Sequence, residues 1–119
     1  MTDHHSSPAD VMPHELASIL PIYLAAASSS SDAQQIVLAF LIGSVGISRK
    51  AVDEVAMEVG IRINDRGDLA IEAFRLLEIG GDSEESFGVL HAAGFSFGDA
   101  ALKGLKLSKQ LIEAATLGV

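Results

Sequence analysis

Residues 36–42 constrain the fold of this chain more than any other stretch. Their sequence, IVLAFLI, is apolar at every position, and it stands between AQQ and GSVG. A helix that is apolar on nearly every face lies either at the centre of a bundle or in a contact between copies. We therefore predict Ile36, Leu38, Leu41 and Ile42 as residues of a self-association interface, with burial in the core as the alternative.

Residues 48–60 carry the clearest amphipathic helix in the chain. Ser48 is a candidate N-cap, and Gly60 is a candidate stop. The apolar residues between them recur at the spacing of one helix face and are Val52, Val55, Ala56 and Val59. In the same way, Ser31 or Asp32 is expected to cap the apolar helix that precedes this one.

Prolines and further polar residues predict other helix ends. We expect a helix over about residues 13–27, kinked or broken near Pro21, because proline removes a backbone donor from a helix. Asp68 is expected to cap the helix that contains LAIEAFRLLE, and Ser108 is expected to cap the C-terminal helix. No segment shows the alternation of a convincing strand, and no repeat of fixed period occurs.

Together these patterns predict an all-α fold, a bundle of about six or seven short helices. Residues 1–12 lack any periodicity and are expected to form a disordered tail, which leaves residues 13–119 as a single helical domain. Gly43 and Gly46 follow the apolar helix. They could let another backbone approach closely, but ending the helix is the favoured interpretation.

Charge and composition exclude several classes of protein. The formal net charge is −8, which opposes non-specific binding to nucleic acid, and the absence of cysteine excludes disulfides and thiolate metal sites. Residues 16–31 and 33–48 are free of charge, but both are shorter than the roughly 20 apolar residues of a membrane span. Arg49 is the first lysine or arginine, so no basic targeting region is evident, and we expect a cytoplasmic location.

The segment IGGDSEESF, residues 79–87, places a serine after two glycines and an aspartate at the start of a predicted helix. This GGDS pattern resembles the attachment site of acyl and peptidyl carrier proteins. The resemblance implies that Ser83 carries a phosphopantetheine arm and that Glu84 and Glu85 meet basic partner enzymes. The same residues are also explained by a helix cap, in which Asp82 or Ser83 accepts a backbone bond and Glu85 completes a capping box. The cap is the favoured interpretation.

A second pattern, VLHAAGFSFGDAALKGL, is similar to ubiquitin-associated domains and to the helix-turn-helix units of some bacterial regulators. The resemblance to the latter implies that Lys103, Lys106 and Lys109 could reach nucleic-acid phosphates, although the acidity of the whole chain opposes this. We instead predict these lysines as interface residues. They would face the acidic middle segment, residues 53–85, of a neighbouring copy, and the alternative for that segment is a basic protein partner.

Neither a catalytic residue nor a metal site is predicted. His91 lies near Phe87 and Leu90 without a partner nucleophile, and His4 and His5 have no further ligands beside them in the sequence. We therefore predict a non-enzymatic helical protein–protein interaction module that self-associates and binds no cofactor. The alternatives are a carrier-like protein with phosphopantetheine on Ser83 and a helix-turn-helix type of regulator.

Overall fold

The computed structural model describes residues 12–78, residue 91 and residues 99–117. These residues form five α-helices and one π-helical segment, and they contain no strand. The helices are α1 (His14–Ala26), α2 (Ser31–Phe40), α3 (Arg49–Met57), α4 (Asp65–Glu78) and α5 (Asp99–Leu117), and the π segment (Leu41–Val45) directly follows α2. The predicted all-α class is confirmed, although the described part of the chain has five helices and not six or seven. The predicted tail lies outside the described residues except for Met12, which packs half-buried against the core.

Helix α2 and the π segment form the centre of the core. Helix α2 packs against both α4 and α5, and the π segment packs against α4. Ile36, Leu38 and Leu41 are fully buried, and Ile42 is only 5% exposed. The structure thus places these four side chains in the core of the chain itself. Burial in the core was the alternative to the predicted self-association interface. Their burial follows from packing on more than one side, which an all-apolar helix requires.

Helix α5 approaches α2 closely at a glycine. A Cβ atom built on Gly104 would lie 2.8 Å from the Cβ of Ile36 and 3.0 Å from the carbonyl oxygen of Ala33. Ser108 follows one turn later, where it is buried and donates its hydroxyl to the Gly104 carbonyl at 2.7 Å. The prediction that Ser108 caps a helix is wrong, because its hydroxyl bonds to the preceding turn in the middle of α5.

The two glycines that follow α2 have separate roles. A Cβ atom on Gly43 would lie 2.7 Å from both the Ile71 carbonyl oxygen and the Phe74 Cβ, so the π segment touches the backbone of α4 here. Gly46 has a φ of 93° and ends the π segment in a left-handed conformation that favours glycine. Each of the two interpretations that the sequence offered for this pair therefore applies to one of its members.

The first helix continues through its proline. α1 runs from His14 to Ala26 with Pro21 inside it, so the expected break is absent. The proline removes one backbone donor, but Leu20 and Leu24 on either side of it are fully buried against the core. Their packing stabilises the turns before and after the proline, and the helix persists for that reason.

Local capping signals give the starts of α2 and α3. Ser48 caps α3 as predicted, and the cap of α2 is Ser30, one residue before the expected Ser31 or Asp32. Each of the two hydroxyls accepts a backbone N–H bond from three residues further on, at 3.2 Å. α3 ends at Met57, and Gly60, with a φ of 77°, follows in the turn.

The start of α4 differs from the prediction. Asn64 accepts the backbone N–H of Gly67 through its side-chain oxygen at 3.0 Å, and the helix begins at Asp65. Asp68 therefore lies in the first turn and is not the cap, because the side chain of Asn64 already caps the helix.

A buried glutamine connects this turn to the central helix. Gln35 of α2 is 3% exposed and donates its side-chain N–H to the Arg62 carbonyl at 2.8 Å. Its amide oxygen accepts the backbone N–H of Asn64 at 3.1 Å. One side chain thus satisfies two backbone groups of the segment between α3 and α4.

Replacing Gln35 by leucine is expected to lower the free energy of unfolding by about 2 kcal/mol or more, because two partly buried backbone groups lose their partner. The matched control is Gln34→Leu. Gln34 is half-buried and makes one bond, to the Leu24 carbonyl at 3.0 Å, so its loss is expected to cost about 1 kcal/mol or less. Urea denaturation of both variants measures the difference, and equal losses would contradict the bridging role of Gln35.

Candidate interaction surface

Helix α5 has one buried face and one exposed face. Gly104, Ser108 and Leu111 are buried against the rest of the bundle. On the opposite side, exposed residues recur at alternating intervals of four and three, the spacing of a continuous helix face. This face, named here the α5 stripe, consists of Leu102, Lys106, Lys109, Glu113 and Thr116. Leu102 is 59% exposed, which is high for a leucine.

The three lysines predicted as interface residues do not share one environment. Lys103 is half-buried, and its ammonium donates to the Ser29 hydroxyl at 3.3 Å, which attaches it to the turn after α1. Lys106 and Lys109 are exposed on the α5 stripe. No carboxylate in the described part of the chain forms an ion pair with either of them. Two of the three lysines are therefore available to a partner.

The acidic middle segment is partly neutralised within the chain. Arg49 pairs with Asp68 and lies 3.7 Å from Asp53, while Arg75 pairs with Glu72 at 2.8 Å. These carboxylates were expected to face the lysines of a neighbouring copy. Their charges are instead compensated by arginines of the same two helices, α3 and α4. The part of the acidic segment from residue 79 to residue 85 lies outside the described residues.

An apolar groove lies where the beginning of α1, the π segment and the last turns of α5 meet. Its volume is about 440 Å³. The side chains that line it are Pro13, Glu15, Leu16, Val45, Ile112, Ala115 and Thr116. Val45 is 43% exposed, and Glu15 supplies the one carboxylate of this lining. The groove can therefore accept an aliphatic side chain that has a cation near it.

A second concave region, of about 290 Å³, lies between α3 and α4. Its charged lining consists of Arg49, Asp68, Glu72 and Arg75, and these side chains form the ion pairs described above. Because each arginine already has a carboxylate partner, the cleft has no excess of charge to attract an ion.

The remaining predicted site residues lie mostly beyond the described structure. Ser83, its glycines and its acidic neighbours are outside the described residues, so the phosphopantetheine site stays a prediction. Of the helix-turn-helix-like pattern, the structure describes His91, which is exposed, and the residues from position 99 onward. Within the described residues, no group of three or more His, Asp or Glu side chains is placed to hold a metal ion.

The described helices and the α5 stripe define an all-α bundle built around one apolar helix. No protein-family model, curated protein or solved structure matches the chain. None of the helices in the described ranges is both long enough and apolar enough to cross a membrane.

Proposed function

We propose that the chain is a non-enzymatic helical protein–protein interaction module and that it self-associates. The observation that carries this proposal is the α5 stripe, where an exposed leucine lies near two exposed lysines that form no ion pair with a described carboxylate. Protein interfaces combine apolar anchors with polar and charged groups at the rim. A helix of 19 residues presents such a combination with little loss of conformational freedom.

The apolar groove is a second observation that supports the same proposal. Its lining is mainly aliphatic, and Val45 within this lining is 43% exposed. Exposed aliphatic surface next to an open groove favours contact with another protein. Because the groove is lined mainly by aliphatic side chains, the proposal assigns it to binding rather than to catalysis.

Sedimentation velocity over a concentration series tests self-association. The expected result is a species heavier than the 12.4 kDa chain whose fraction rises with concentration. The association should weaken in 1 M salt, where the screening length falls to about 3 Å, because the stripe contributes charge as well as apolar surface. A monomer at every concentration would contradict the proposal.

Native mass spectrometry of protein purified from its own source separates this proposal from the carrier alternative. An unmodified subunit in a discrete oligomer supports the interaction module. A subunit heavier than its sequence mass, with the excess mapped to Ser83, would replace the proposal with a carrier protein.

A further inference from the structure

The two ends of the α5 stripe lie at equal distances from Lys109. Leu102 precedes Lys109 by seven residues, and Thr116 follows it by seven, so each end of the stripe lies about 10 Å from its middle. Lys106 stands in the first half of the stripe, and Glu113 stands in the second half. A two-fold axis that passes near Lys109, perpendicular to the helices, places the first half of one helix opposite the second half of the other.

In this arrangement, groups of opposite charge lie next to each other. It brings Lys106 of each copy to Glu113 of the other, and the contact occurs twice because the two copies are equivalent. It also brings each Leu102 to the last turns of the other α5, where the apolar groove is lined by Val45, Ile112 and Ala115. The charges and the apolar surface of α5 are thus complementary to themselves in an antiparallel arrangement.

Charge distinguishes Leu102 from Ile22, the one large hydrophobic side chain in the described ranges that is more exposed than Leu102. Ile22 is 64% exposed, but the side chains one turn before and after it on α1 carry no charge. Leu102 has Lys106 one turn away, and the groove has Glu15 in its lining. The two Lys109 side chains meet near the axis, where their length lets the ammonium groups turn to solvent.

We propose that two copies of this chain pair through antiparallel α5 helices, with Leu102 of each copy in the groove of the other. This inference rests on the proposed self-association and names its partner and its surface. The contact is between equivalent surfaces, so it closes at a dimer and does not extend into a filament.

Single cysteines test the direction of the pairing, since the chain contains none of its own. Lys109→Cys is expected to form a disulfide-linked dimer under mild oxidation, because position 109 lies near the axis. Leu102→Cys and Thr116→Cys should each remain uncrosslinked alone and should crosslink with one another when mixed. Ile22→Cys, which is exposed on α1, is the control and should stay uncrosslinked.

The outcomes of this experiment separate the inference from the proposed function. Self-crosslinking of both Leu102→Cys and Thr116→Cys, without crosslinking between them, would indicate a parallel pair and overturn the inference. Association of all variants without any crosslink would place the interface elsewhere and leave the proposed function intact. If sedimentation velocity shows that the unmodified chain does not associate, both the inference and the proposed function are overturned.

Charge reversal provides an independent test. Lys106→Glu and Glu113→Lys are each expected to weaken dimerisation about tenfold or more, because each places like charges opposite one another in both contacts. The double variant, with both substitutions, restores the pairing with the signs exchanged and should return to within about threefold of the original affinity. Both positions are exposed, so circular dichroism should show an unchanged fold. A double variant as weak as the single ones would overturn the proposal.

Discussion

Replacement of Leu38 by aspartate is expected to leave the domain unfolded. Leu38 is fully buried in the core. Removing a buried leucine costs about 2–5 kcal/mol, and an unpaired carboxylate in an apolar core adds several more. The sum is comparable with the whole stability of a small domain, roughly 5–15 kcal/mol. Far-UV circular dichroism and size-exclusion chromatography should both report loss of the folded state.

Ile22→Asp is the matched control for this substitution. It makes a similar change of an aliphatic residue to aspartate on a side chain that is 64% exposed on α1, so the fold should persist with a change of about 0.5 kcal/mol or less. A Leu38→Asp chain that stayed folded at a smaller oligomeric mass would place Leu38 in a contact between copies. That result would contradict its position in the core.

The second large effect is expected at the contact between α2 and α5. Gly104→Ala should lower the free energy of unfolding by about 1–3 kcal/mol, because the new Cβ meets the rigid Cβ of Ile36 at 2.8 Å and a backbone oxygen at 3.0 Å. Alanine is otherwise the better residue inside a helix by about 1 kcal/mol. The predicted change in the free energy of unfolding is therefore opposite in sign to the change expected from helix propensity alone. Chemical denaturation measures this change directly.

Gln110→Ala controls for helix propensity on the exposed side of the same helix. It should change the free energy of unfolding by about 0.5 kcal/mol at most, because Gln110 is exposed. A Gly104→Ala chain that is more stable than the original would show that α5 and α2 do not approach closely at this point.

Local signals in the sequence were sufficient for much of the fold. The cap at Ser48, the apolar face that follows it and the fully apolar residues 36–42 each depend on neighbours in the chain, and the helices they predict are present. The prediction that Ser108 caps a helix was wrong because local sequence does not distinguish a serine that caps a helix from one buried within a helix. The role of Gln35 depends on a segment 27 residues away, which no local pattern reveals.

The candidate surface could be predicted in part. Lys106 and Lys109 were predicted as interface residues, and both are exposed. The bond from Lys103 to Ser29 could not be foreseen, because it joins α5 to a distant turn. The alternation of four and three from Leu102 to Thr116 was present in the sequence. It could have added Glu113 to the surface if the C-terminal segment had been read as one helix.

The two glycine contacts also have an evolutionary consequence. The apolar core can exchange leucine, isoleucine and valine among its positions as long as its volume is kept. No larger side chain fits at Gly43 or Gly104 unless the helices move apart. Descendants of this chain should therefore drift in their aliphatic residues and in most surface charges while they retain glycine at these two points. Distant relatives would share the pair of glycines and the bridging amide of Gln35 long after their overall identity had been lost.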